Sequence, residues 1–139
     1  MPANTLPIFT LVPDIGFGRM VAANTGSDGS GTLYTVFTAG VNGSRVDSIT
    51  FTNSQATYAA SSAMVARVFV TDITGSNPRL LSEIALPAAT RTAAVVGQTQ
   101  VITYLNGLIL PSGSLVRTCQ SVYAGVQDQV DVVVRGGDF

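Results

Sequence analysis

Between Arg45 and Asn53 the chain reads RVDSITFTN, with Ile49 and Phe51 in one phase of an alternation and Thr50 and Thr52 in the other. A period of two places successive side chains on opposite faces of a strand, so such a segment has one face to hide and one to show. The same beat recurs along the chain. Ala63 to Asp72 (AMVARVFVTD) sets Met64, Ala66, Val68 and Val70 on one face and Arg67 on the other. In Gln129 to Arg135, Val130, Val132 and Val134 point inward if Asp131 and Arg135 point out. Phe17 to Ala23, Leu33 to Ala39, Arg79 to Ala85, Gln98 to Leu105, Leu108 to Leu110 and Ser114 to Ser121 are further short candidate strands, most of them rich in β-branched and aromatic residues.

Turn residues separate these runs. Asn42-Gly43 and Asn106-Gly107 accept positive φ and predict tight hairpins, while Pro111-Ser112-Gly113 has a proline to open a turn and a glycine to close it. Asn24 to Gly31 (NTGSDGSG) reads as a flexible glycine and serine turn region. Ser54 to Ser62 and Ala88 to Val96 are alanine-rich, but their serines and threonines and the nearby Pro87 favour loops over helical turns. Eight or so strands at regular spacing predict an all-β chain folded as a single antiparallel β-sandwich, jelly-roll-like. Residues 1 to 16 read differently, because Pro2, Pro7 and Pro13 forbid a helix there. The expected organisation is an extended N-terminal arm, 1–16, followed by a β-sandwich domain, 17–139, in a chain long enough for one compact domain.

The side-chain inventory excludes most chemistry. There is no histidine and no lysine, so a serine or cysteine nucleophile has no ordinary base, and the single cysteine, Cys119, supplies one of the four ligands a structural zinc needs. Asp128 and Asp131 stand three apart, which in a strand puts them on opposite faces and argues against an acid–base pair. Asp28 in GSDGSG is one carboxylate where a calcium loop offers several. No enzyme activity, cofactor or metal is expected. Seven arginines are dispersed among eight acids, which makes no basic stripe for nucleic acid. No apolar run is long enough to span a membrane. Pro2, Pro7 and Pro13 also interrupt any signal-like start, and a lone cysteine, read as a small buried hydrophobe, fits synthesis in a reducing cytoplasm. Charged residues are 11% of the chain against about 25% in ordinary domains, so part of the surface is expected to be covered by other subunits.

One resemblance gives these features a context. Ala23-Asn24-Thr25, Asp28-Gly29-Ser30-Gly31-Thr32, Val36-Phe37-Thr38-Ala39-Gly40 and Asn42-Gly43-Ser44-Arg45-Val46-Asp47-Ser48-Ile49 follow one another in an order that resembles small head-associated proteins of tailed bacteriophages. The likeness continues through Val65-Ala66-Arg67-Val68-Phe69-Val70, Leu108-Ile109-Leu110-Pro111-Ser112-Gly113 and Gly136-Gly137-Asp138-Phe139, and departs at Leu80-Leu81-Ser82-Glu83-Ile84. It implies a capsid decoration, or cement, protein: a homotrimer on the outer surface of the virion, made in the host cytoplasm, with the major capsid protein as partner. On that reading Leu6, Ile8, Phe9, Leu11, Val12 and Ile15 of the arm, together with Phe139, are candidate partner-binding residues. A single arm holds weakly and several arms on one oligomer hold firmly, through effective concentration. The arm lying back on its own domain as an edge strand is the competing arrangement. The competing function is a tail- or fibre-associated domain that binds a host glycan, for which Tyr34, Tyr58, Tyr104 and Tyr123 are the available stacking rings in a chain without tryptophan.

Overall fold

In a computed structural model the described residues, 10–55 and 57–139, form two four-stranded antiparallel sheets packed face to face. The strands are β1 (Val12–Met20), β2 (Tyr34–Thr38), β3 (Ser44–Asn53), β4 (Met64–Val70), β5 (Arg79–Leu86), β6 (Thr99–Leu110), β7 (Leu115–Gln120) and β8 (Val130–Asp138), with one short 3-10 turn at Val126–Asp128. One sheet has the order β1-β8-β3-β6 and the other β2-β7-β4-β5. The ladders are nested: β1 pairs with β8, β2 with β7, β3 with β6 and β4 with β5. A long hairpin rolled up on itself gives this pairing, and it defines the jelly roll.

The core is made by the predicted phases. Ile49 and Phe51 of β3, Ala66 and Val68 of β4, and Val130, Val132 and Val134 of β8 are all buried between the sheets, with Thr50, Arg67 and Asp131 on outer faces. The Asn42-Gly43 turn forms as expected, with Gly43 at φ 85 and its N–H donating to the Gly40 carbonyl at 3.0 Å. The Pro111–Ser114 turn forms too, closed by Ser114 N–H on the Pro111 carbonyl at 3.2 Å.

Several boundaries differ from the sequence reading: β1 ends at Met20, short of Ala23, and β8 runs on past Arg135 to Asp138. Asn106 and Gly107 do adopt positive φ, 64 and 77, but they sit inside β6 as a bulge opposite the Val46–Ser48 step of β3, not at a hairpin. The dihedral demand of Asn-Gly is the same in both settings; pairing on both sides of it with β3 keeps the chain running in one direction, so Gln98–Leu105 and Leu108–Leu110 are one strand. Residues 12–16, assigned to the arm, are the first half of β1 and pair with Asp138 to Val134 of β8. β1 is an edge strand, where a proline such as Pro13 is tolerated because no neighbour needs its N–H. Leu6, Ile8 and Phe9 lie outside the described residues.

Candidate functional site

The two outer faces of the sandwich are finished differently. Over the β2-β7-β4-β5 sheet runs the connection between β1 and β2. Ala23 bridges Gln120, and the Asn24 carbonyl lies 4.0 Å from Cys119 Sγ and 3.5 Å from an Arg67 guanidinium nitrogen. Gly29 approaches Pro78, where a Cβ would stand 2.8 Å from the Pro78 carbonyl oxygen. This connection is the NTGSDGSG segment, and Asn24 ties it: its side-chain N–H groups donate to the carbonyls of Ser30 (2.8 Å) and Thr32 (2.9 Å), and its oxygen accepts from Gly26 N–H (2.9 Å). Cys119 and Phe69 on this face are fully buried, and burial pushes the Cys119 thiol pKa up.

The outer face of the β1-β8-β3-β6 sheet has a different character. Its registers align Phe17, Val133, Thr50 and Val101 in one row across all four strands. The next row is Ile15, Arg135, Ser48 and Thr103, and on the other side lie Arg19, Asp131, Thr52 and Thr99. Phe17 is 70% exposed, Ile15 51% and Val101 49%. Arg19 and Asp131 pair at 2.7 Å beside this row, and the Arg19 hydrogen bond holds the Asp131 carboxyl below its usual range. A shallow hollow of about 470 Å³ lies beside Phe17, lined also by Arg19, Asp131 and Val133. The result is a mostly apolar row, interrupted by Thr50, with the Arg19–Asp131 ion pair at its edge.

The structure brings only some of the candidate partner-binding residues together. Leu11 and Val12 lie at one corner with Phe139: Leu11 N–H donates to the Asp138 carbonyl at 2.8 Å, Val12 is opposite Asp138, and Phe139 N–H donates to the Gly43 carbonyl at 3.1 Å. Leu11 and Val12 are exposed, and Phe139 is half-buried. Ile15 belongs instead to the outer face with Phe17. Phe17, Val133 and Val101 went unread as a group, although each is an apolar residue in the polar phase of its strand. Asp128 and Asp131 do not share a strand: Asp131 lies in β8, while Asp128 lies in the 3-10 turn, buried and accepting from Ser62 N–H (2.7 Å), Ser62 Oγ (3.0 Å) and Ala124 N–H (2.7 Å), and so ties two loops. Of the tyrosines, Tyr34 accepts Val21 N–H at 3.2 Å and Tyr104 meets Ser82 Oγ at 3.3 Å, whereas Tyr58 is 68% exposed. Tyr58 lines a second hollow of about 420 Å³ with Arg91, Val95 and Val96, between the β3–β4 and β5–β6 loops.

No family model matches the sequence, and no curated protein matches it. Among solved structures the chain is similar to a chain of the infectious bursal disease virus (IBDV) viral particle, at 13% identity and a TM-score of 0.35, covering 99% of this chain and 36% of that one. It is also similar to a chain of the infectious bursal disease virus Gt strain, at 17% identity and a TM-score of 0.29, covering 98% and 36%. This chain therefore spans little more than a third of the length of either.

Proposed function

We propose that this chain is a non-enzymatic virion structural protein that decorates and stabilises a bacteriophage capsid, with copies of itself and the major capsid protein as partners on the outer shell. The observation that carries the reading is the outer-face row of Phe17, Val133, Thr50 and Val101, in which Phe17 and Val101 are exposed, on a sandwich whose interior is already filled by other side chains. An apolar stripe left outside a complete core is surface kept for another protein. The polar groups nearest to chemistry are spent on architecture: Asp128 ties loops, Asp131 holds Arg19, and Asn24 fastens a connection. The jelly roll serves capsid and lectin domains alike, so the outer-face row carries the assignment and the fold does not. Co-sedimentation with expanded phage heads tests the reading. Binding is expected for the native chain, with a loss of roughly tenfold or more for Phe17→Ser; protein that ignores shells overturns it.

The hollow beside Tyr58 supports a second reading, a receptor glycan stacked on that ring. Binding on a glycan array that collapses in Tyr58→Ala, with no shell binding, would favour it over the first.

A further inference from the structure

The two flanks of the sandwich are closed to different degrees. On the β1/β2 flank, Met20 and Val36 face inward and are 0% and 3% exposed, and Gly16 and Gly18 let the strands meet. On the β5/β6 flank, Ile102 and Tyr104 of β6 and Ile84 of β5 pack against the core yet remain half-exposed. The Ser82–Tyr104 hydroxyl contact spans that flank.

Among the described residues β6 is also an edge strand, and edge strands recruit other strands unless something blunts them. β1 carries Pro13, Asp14 and Arg19, β2 is five residues long, and β5 carries Arg79 and Glu83. The twelve residues of β6, TQVITYLNGLIL, include no charge and no proline. The bulge at Asn106-Gly107 interrupts one end and leaves Thr99 to Thr103 as a regular stretch paired with β3.

We propose that a second copy of this chain covers this flank, with β6 pairing antiparallel to β6 about a two-fold axis at Val101. Residues opposite one another in an antiparallel pair share a face, so the axis must lie midway between one residue and its own copy, and Val101 is the centre of the regular stretch. Thr99 then faces the partner's Thr103, Gln100 faces the partner's Ile102, and Val101 faces the partner's Val101. The outward ladder is entirely β-branched, which suits a pleated surface. The absence of charge on β6 means that self-pairing brings no like charges together. A second copy is the partner that fits, because it presents the same bare edge and the same half-covered residues, so one operation satisfies both. The outer-face row from Phe17 to Val101 then runs on into the partner's sheet, making eight continuous strands. This pairing sets the unit at two copies, in place of the three that the resemblance implies, and it stands whether or not the pair sits on a shell.

Sedimentation equilibrium of the full chain is expected to give twice 14.4 kDa. Val101→Asp sets two carboxylates opposite each other and is expected to weaken the dimer at least ~10-fold, with the far-ultraviolet circular dichroism of the strands retained. Val101→Cys provides a readout that does not depend on disruption. Directly opposed positions lie within disulfide reach, so mild oxidation is expected to give a covalent dimer, while Ile109→Cys, beyond the bulge, stays uncrosslinked. A native mass of one or three copies, or a dimer that Val101→Asp leaves intact and Val101→Cys fails to link, overturns the proposal.

Discussion

Gly16 of β1 faces the main chain of Val36 in β2 so closely that a Cβ on it would stand 2.0 Å from the Val36 carbonyl oxygen and 3.1 Å from Phe37 Cβ. The obstruction is backbone, not the far end of a flexible side chain, so it cannot swing aside. Gly16→Ala is expected to destabilise the fold by about 1–3 kcal/mol through overpacking, lowering Tm by roughly 5–10 °C in a thermal melt. An unchanged melt would mean that the β1/β2 flank does not close this way.

Asp128 is the buried tie between the β3–β4 and β7–β8 loops. Replacing it with Ala leaves Ser62 N–H and Ala124 N–H without their acceptor. The expected cost is about 3 kcal/mol in urea unfolding. Asp128→Asn should recover part of this, since one oxygen remains while the new amide donor meets an N–H.

The β4–β5 loop predicts a pH dependence. Asp72 accepts from Thr74 N–H and Oγ, Ser76 N–H and Asn77 Nδ2, and these bonds, that from the Thr74 hydroxyl foremost, pull its pKa down to about 2. A carboxyl whose folded value lies below its unfolded value stabilises the fold at pH above the ordinary range near 3.8, and that contribution fades as pH falls toward about 2. The stability difference between the native chain and Asp72→Asn is therefore expected to be full at pH 5–7 and to shrink between about pH 4 and pH 2. A difference that stays constant down to pH 2 would contradict the loop geometry.

Cys119 is fully buried under the β1–β2 connection, with its thiol pKa raised by that burial. Its reaction with a thiol reagent at neutral pH is expected to follow unfolding and not to precede it. Asn24→Ala, which releases the connection, should speed labelling roughly tenfold or more before global unfolding.

Much of the fold was legible because a half-buried strand writes its period into the sequence. RVDSITFTN and QVDVVVR name their inward residues, although β8 runs on through Gly136-Gly137 to Asp138, and the Gly43 and Gly113 turns are local events. What stayed hidden depends on distant partners. Pro13 looks like an arm residue until β8 is seen to pair on one side of it with solvent on the other. Asn106-Gly107 has the same dihedrals in a hairpin or a bulge, and β3 decides between them. The row of Phe17, Val133, Thr50 and Val101 exists only through registers that join positions far apart in the chain, so no local reading assembles it. The arm residues Leu11 and Val12, by contrast, are exposed as their surroundings suggest, at a corner shared with Phe139.

The nested pairing has a consequence for folding. β8, the last of the eight described strands in chain order, sits between β1 and β3 in the interior of its sheet. A chain without β8 leaves β1 and β3 without the neighbour they share, and Phe51 without Val132 beside it on the inner face. Such a topology of long-range ladders closes late and slowly, because its pairings join distant parts of the chain. The outer stripe, which takes Val133 from β8, forms only once β8 has joined β1 and β3 in the sheet.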